Sequence, residues 1–233
     1  MKRLALAACV IGLLGLHSTS ASATSIQPAV WSGNGTNVGS GSTSQTSAGT
    51  GFVTYDNFSF ATATTINQLT WLGIYVNDTT FLNGAPNTSR WDILIFDSTG
   101  IGGTPANLIG GAIDDKQVTR TTLGTGLFGA NTVTVYQFTA LFPDFNAGAG
   151  VGYWFAPVSV GPSFEPVFSW IQGTGGNGLA LQAQIAGFVF VPPLNVRDGD
   201  RAFSLSSVPE PSTLALLALG LGGVAVGRRR RRS

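Results

Sequence analysis

Leu69-Thr70-Trp71-Leu72-Gly73-Ile74-Tyr75-Val76 decides the fold class of this 233-residue chain. Its first half alternates, and its second half is apolar on both faces. A period of two belongs to a strand with one buried face, and continuous apolarity to a strand covered on both. Trp91, Ile93 and Ile95 repeat the pattern, sharing one face with Leu94 and Phe96 opposite. Segments of the same texture fall at 52–60, 66–76, 91–97, 107–113, 131–140, 151–160, 166–172, 179–191 and 201–206. They are rich in Val, Ile, Thr, Phe, Tyr and Trp and are separated by Gly, Asn, Asp and Pro, which end strands. No stretch between Thr24 and Ser207 sustains a 3.6-residue period with caps. The expected fold is all-β, a jelly-roll-like β-sandwich over residues 52–207, with an irregular barrel as the second choice.

Outward from these strands the texture changes. Residues 32–51 are Gly, Ser, Thr, Asn and Gln with almost no apolar side chains. Such a stretch buries too little to offset its ordering entropy, so residues 24–51 are expected to form a loosely ordered lead-in. Its Thr and Ser residues also suit a polar edge strand.

Both ends carry apolar runs, and the sandwich is expected to be flanked by an N-terminal signal helix and a C-terminal transmembrane helix. Lys2-Arg3, an apolar run over 4–16 and Ala21-Ser22-Ala23 have the order of a secretory signal, giving a signal peptide over 1–23 cut after Ala23. The run of 13 residues is short for a hydrocarbon core about 30 Å thick. Leu6-Ala7-Ala8-Cys9 looks like a lipoprotein box, but most of the apolar run comes after Cys9 rather than before it. At the other end Val208-Pro209-Glu210-Pro211-Ser212-Thr213 leads into an apolar run over 214–227. Arg228, Arg229, Arg230, Arg231 and Arg232 come next. The prolines hold the entry extended, and five arginines behind an apolar run act as a stop-transfer signal that leaves everything upstream outside.

Residues 208–233 resemble the PEP-CTERM sorting signal of Gram-negative bacteria in the order of their three parts. The resemblance implies that an exosortase-type membrane protease cuts at or beside Pro209-Glu210-Pro211 after a transient stay in the inner membrane. It also implies a final place at the cell surface or in the extracellular matrix, in company with exopolysaccharide and biofilm. An uncut single-pass anchor is the competing reading, and the apolar run of 14 residues is short for it. A second resemblance, to ectodomains carried by this signal, rests on Asp56-Asn57-Phe58-Ser59-Phe60, Tyr153-Trp154-Phe155 and Arg201-Ala202-Phe203-Ser204-Leu205. It supports the fold and names no chemistry.

Composition narrows the chemistry. Charged residues make up 10% of the chain, against about 25% in ordinary soluble domains. The net charge of +1 hides the ends, because residues 24–207 hold five cations against ten acids, a net of −5. A middle of that sign offers no footprint for nucleic acid. Met1, Cys9 and His17 are the only residues of their types. Once the signal is removed, cysteine nucleophiles, Ser-His-Asp triads, His-ligated zinc and disulfides have no residues to work with.

Carboxylate chemistry survives that exclusion. Asp97, Asp114, Asp115, Asp144 and Glu165 are the candidates for glycoside hydrolysis, with Glu165 between Phe164 and Pro166 the candidate acid. Asp is also favoured in turns, so no catalytic residue is assigned and a non-catalytic protein is expected. Asp198-Gly199-Asp200 and Asp114-Asp115 offer oxygens of the kind calcium takes, although neither has EF-hand spacing. A hairpin turn with ion pairs to Arg197 and Arg201 is the simpler reading of the first, so no cofactor is assigned. Aromatic rings can stack on sugars, which makes a carbohydrate-binding module the alternative function. Trp71, Trp91 and Trp154 alternate with aliphatic residues as core positions do; Trp31 has no such context; Trp170 precedes a Gly-rich loop and is the expected exposed glycan contact.

Overall fold

The computed structural model describes residues 25–77, 82–100, 104–105, 108, 111–114, 117–186 and 189–207. The signal peptide, Ala21, Ala23, Asp115, Val208, Pro209, Glu210, Pro211 and the arginine run at 228–232 lie outside these residues, as do both expected terminal helices. The described chain is all-β, with no α-helix.

In chain order the strands are β1 (Ser25–Gln27), β2 (Thr36–Asn37), β3 (Gly41–Thr43), β4 (Gln45–Ser47), β5 (Thr50–Phe58), β6 (Thr64–Val76), β7 (Arg90–Asp97) and β8 (Gly111–Asp114). They continue as β9 (Val118–Phe128), β10 (Asn131–Ala147), β11 (Tyr153–Val160), β12 (Val167–Ile171), β13 (Leu179–Ala186), β14 (Val189–Asp198) and β15 (Phe203–Ser206). One sheet runs β1-β15-β6-β10-β9-β2, with β12 joining β6 to β3. The other runs β14-β13-β5-β4-β11-β7-β8, and β5 also pairs β11 directly.

The two sheets share a core. Trp71, Phe138, Phe168, Trp170 and Phe203 of the first sheet cluster with Phe58, Trp91, Ile93, Ile95 and Phe155 of the second. The alternation in β6 and β7 arises from that shared face. Leu69, Trp71 and Tyr75 enter the common core, whereas Ile74 and Val76 face a separate cluster with Val38, Val133 and Ile171. Trp91, Ile93 and Ile95 enter the common core, and Leu94 and Phe96 pack on the outer face with Tyr55, Trp154 and Leu181. Gly73 makes a close approach possible, because a Cβ there would stand 2.7 Å from Cζ of Phe168.

The strands depart from the sequence pattern in three places. Residues 36–47 are not a loose lead-in: β3 pairs β12, and β4 lies between β5 and β11 inside the second sheet. Their buried polar groups are satisfied by backbone. The Gln45 side chain, fully buried, accepts the Phe168 N–H at 2.6 Å and donates to the Phe164 carbonyl at 2.6 Å. Ser44 Oγ donates to the Pro157 carbonyl at 2.7 Å. Strand β9 forms where no segment was expected, because its Thr-rich residues are mostly exposed and carry no apolar alternation. The expected segment 179–191 divides into β13 and β14.

Candidate functional site

A sugar-binding surface would need exposed tryptophan, and the fold hides most of it. Trp170 is fully buried, and its indole N–H donates to the Ala202 carbonyl at 2.9 Å. The expectation of an exposed Trp170 is therefore wrong. The Gly-rich loop that suggested exposure begins three residues later, at Gly173, while β12 itself lies between β6 and β3. Trp71 and Trp91 are fully buried and Trp154 nearly so. Trp31 is half-buried and donates to the Thr125 carbonyl at 3.1 Å.

The carboxylates expected to suit hydrolysis belong to different elements. Glu165 is exposed in the connection from β11 to β12, so Phe164 and Pro166 do not shield it. Asp144 is exposed at the bulge of β10 and accepts from Asn67 Nδ2 at 3.0 Å. Asp97 ends β7 and accepts from Thr99 Oγ1 at 2.7 Å.

A different pair of carboxylates is buried. Asp56 is fully buried and Asp200 is 4% exposed. Asp56 occupies the face of β5 that turns inward with Phe58, opposite Phe155 of β11 and Ala180 of β13. Its Oδ1 accepts the Asn57 N–H at 2.7 Å, and its Oδ2 accepts the Arg201 N–H. Asp200 lies in the turn from β14 to β15. Its oxygens accept the Gly176 N–H at 2.9 Å and the Gly178 N–H at 2.7 Å. Burial pushes the Asp56 carboxyl up to about 7; the two N–H donors and the Arg201 charge oppose the rise, and Asp200 adds to it.

Arg201 is also fully buried, yet its guanidinium serves carbonyls. It donates to Ser40 O at 3.1 Å, Asp198 O at 2.6 Å and Gly199 O at 3.2 Å. Burial lowers its pKa, with the Asp56 charge opposing. The expected local ion pairs of Asp198-Gly199-Asp200 are thus replaced by backbone contacts, and Arg197 turns to Gln182. Beside the cluster, Gln27 at the end of β1 is 5% exposed and donates Nε2 to the Asn57 carbonyl at 3.1 Å. Its Oε1 is buried without a partner. No group of three His, Cys, Asp or Glu gathers among the described residues.

A single inward Asp among the apolar residues 52–60 is the local sign of this cluster. Its polar partners come from residues far away in the chain, and no local pattern ties them together. On the outer face of the second sheet there is also a groove of about 540 Å³, lined mainly by Val53, Leu94, Phe96, Val158 and Ile185. Arg90 and Asp92, ion-paired at 3.3 Å, are its charged lining.

The last strand ends at Ser206, and the segment directly after it is diagnostic. Residues 207–232 match the family model of the PEP-CTERM protein-sorting motif. The chain carries a PEP-CTERM sorting motif. The PEP-CTERM motif implies an exported protein handled by an exosortase in the membrane. Neither a curated protein nor a solved structure matches the chain.

Proposed function

We propose that this is a non-catalytic surface or matrix protein, a jelly-roll-like sandwich associated with exopolysaccharide and released or re-anchored by an exosortase. The observation that carries the reading is the sorting motif beginning directly after the last strand. The topology is in keeping with it. β1 pairs antiparallel with β15, Ser25 opposite Leu205, so the chain enters and leaves the fold at one end of one ladder. A domain tethered through both ends before processing needs its tethers on the same side.

The non-catalytic part draws support from the side chains available. His17 and Cys9 fall in the segment expected to be removed, while Glu165 and Asp144 are exposed in separate elements. Tryptophan stacking on glycan, the alternative, loses Trp170 as its contact.

Intact mass of the protein recovered outside the cell tests the sorting. Termini at Thr24 and near Pro209 are expected, and loss of the exosortase leaves the arginine tail in place. A wild-type product that keeps the arginines at 228–232 overturns the processing step. Association with exopolysaccharide is read separately, by whether the processed protein sediments with the matrix only in cells that make the polysaccharide.

A further inference from the structure

We propose that the groove on the outer face of the second sheet binds a neutral amphiphile, an aliphatic chain ending in an amide, with Arg90 and Asp92 holding the amide. Size is the first reason. The groove's volume of about 540 Å³ falls within the roughly 300–1,000 Å³ of small-molecule sites, which are mostly apolar with a few placed polar groups. Val53, Val158 and Phe96 line it and are 2%, 1% and 6% exposed, so its floor is sheltered rather than a flat patch.

The second reason is a gradient of polarity along one strand. Arg90, Asp92, Leu94 and Phe96 line the groove, alternating along β7 with the core residues Trp91, Ile93 and Ile95. Strand register carries the gradient across the sheet. Arg90 stands opposite Val160, which pairs with Thr46 of β4, so the polar lining gathers at that end. Leu94 stands opposite Ala156 and Phe96 opposite Trp154, and Leu108 bridges Phe96, so the far end is apolar. From Asp92 to Phe96 the strand rises about 13 Å, room for an extended aliphatic chain. A ligand with one polar and one apolar end fits in a single direction.

The third is unmet hydrogen bonding at the polar end. Asp92 Oδ1 is buried without a hydrogen-bond partner, and Arg90 Nε comes to 3.3 Å without making that bond. A buried acceptor is costly until a donor reaches it. An amide N–H supplies the donor, and the amide oxygen accepts from the guanidinium of Arg90, whose side chain is 52% exposed. The two opposite charges select against a charged head group. A carboxylate would face Asp92, and an ammonium would face Arg90. A sugar would lay unpaired hydroxyls on the aliphatic floor, so this site is separate from the matrix association.

The test is calorimetric titration of the full chain in lipid nanodiscs with octanamide, octanoate and octylammonium, the heat of empty nanodiscs being subtracted. One site for octanamide is expected, half-saturated at roughly 10–1,000 µM, with the two charged probes at least about tenfold weaker. Asp92→Asn leaves Arg90 unopposed and is expected to strengthen octanoate binding about tenfold. Absence of that gain in the folded variant overturns the role of the pair. Leu94→Trp, which fills the groove, is expected to abolish binding of all three probes. No octanamide binding by the wild-type chain up to about 10 mM overturns the site. Charged probes that bind the wild-type chain as tightly as octanamide overturn the amide assignment, a result that requires no variant to fold. Unchanged octanamide binding by folded Leu94→Trp overturns the groove as its location.

Discussion

Trp71 of one sheet meets Trp91 of the other edge to face, ring centroids 4.9 Å apart and planes at 74°. Phe138 stacks on Trp71 at 5.3 Å, and Phe168 meets Trp91 at 4.9 Å, so four rings hold the sheets together. Quadrupoles favour such offset and edge contacts by about 0.5–1.5 kcal/mol per pair beyond the area buried.

Trp71→Ala and Trp91→Ala are each expected to destabilise the fold by about 3–5 kcal/mol, since both rings are fully buried. The double variant should lose less than the two singles together, because each truncation already removes the shared contact. Urea denaturation of the four proteins measures the coupling. Strict additivity would mean that the two rings do not act as one unit.

Phe replacements separate packing from hydrogen bonding. The Trp71 indole nitrogen is buried without a partner, whereas that of Trp170 donates to the Ala202 carbonyl. Trp170→Phe is therefore expected to lose about 1 kcal/mol more than Trp71→Phe through the broken bond. Equal losses by chemical denaturation would contradict this.

Asp56 should make stability depend on pH. Its folded pKa of about 7 lies above the ordinary 3.8, so the native state holds a proton that the unfolded chain has released. The contribution is complete below 3.8 and is lost as pH rises towards about 7. The loss amounts to a few kcal/mol, on the order of the pKa difference converted at about 1.4 kcal/mol per unit. Melting temperature in chelator is expected to fall from pH 4 to pH 7, and Asp56→Asn should flatten that slope whatever its absolute stability. A wild-type profile that rises over the window would exclude a protonated Asp56.

Gln45→Ala should cost about 2–3 kcal/mol, because the buried Phe168 N–H then has no acceptor. Deleting residues 25–47 should abolish cooperative unfolding altogether, since β4 fills the second sheet. A loose lead-in would tolerate both changes, and circular dichroism with urea titration distinguishes the outcomes.

How much of this was legible depends on where each signal resides. The alternation in β6 and β7 is local, and it announces strands, faces and the core tryptophans Trp71 and Trp91 without knowledge of any pairing. The sorting motif is equally local, because a membrane protease reads a short linear segment. Strands β3 and β4 leave no such trace. Ser44 and Gln45 are buried polar residues whose partners, Pro157, Phe164 and Phe168, lie more than a hundred residues away.

The same distance along the chain hides Trp170 and the Asp56 cluster. Trp170 precedes a Gly-rich loop, and the loop's composition says nothing about the strands that flank β12 on either side. Asp56 stands out as a lone inward carboxylate, but Asp200 and Arg201 come beside it only once the turn between β14 and β15 packs against β5. Covalent sequence by itself determined the β character, the apolar faces and the sorting tail, since each depends on neighbours along the chain. Tertiary structure alone decided which polar groups are buried and what satisfies them, because desolvation is a property of the finished packing and not of any segment within it.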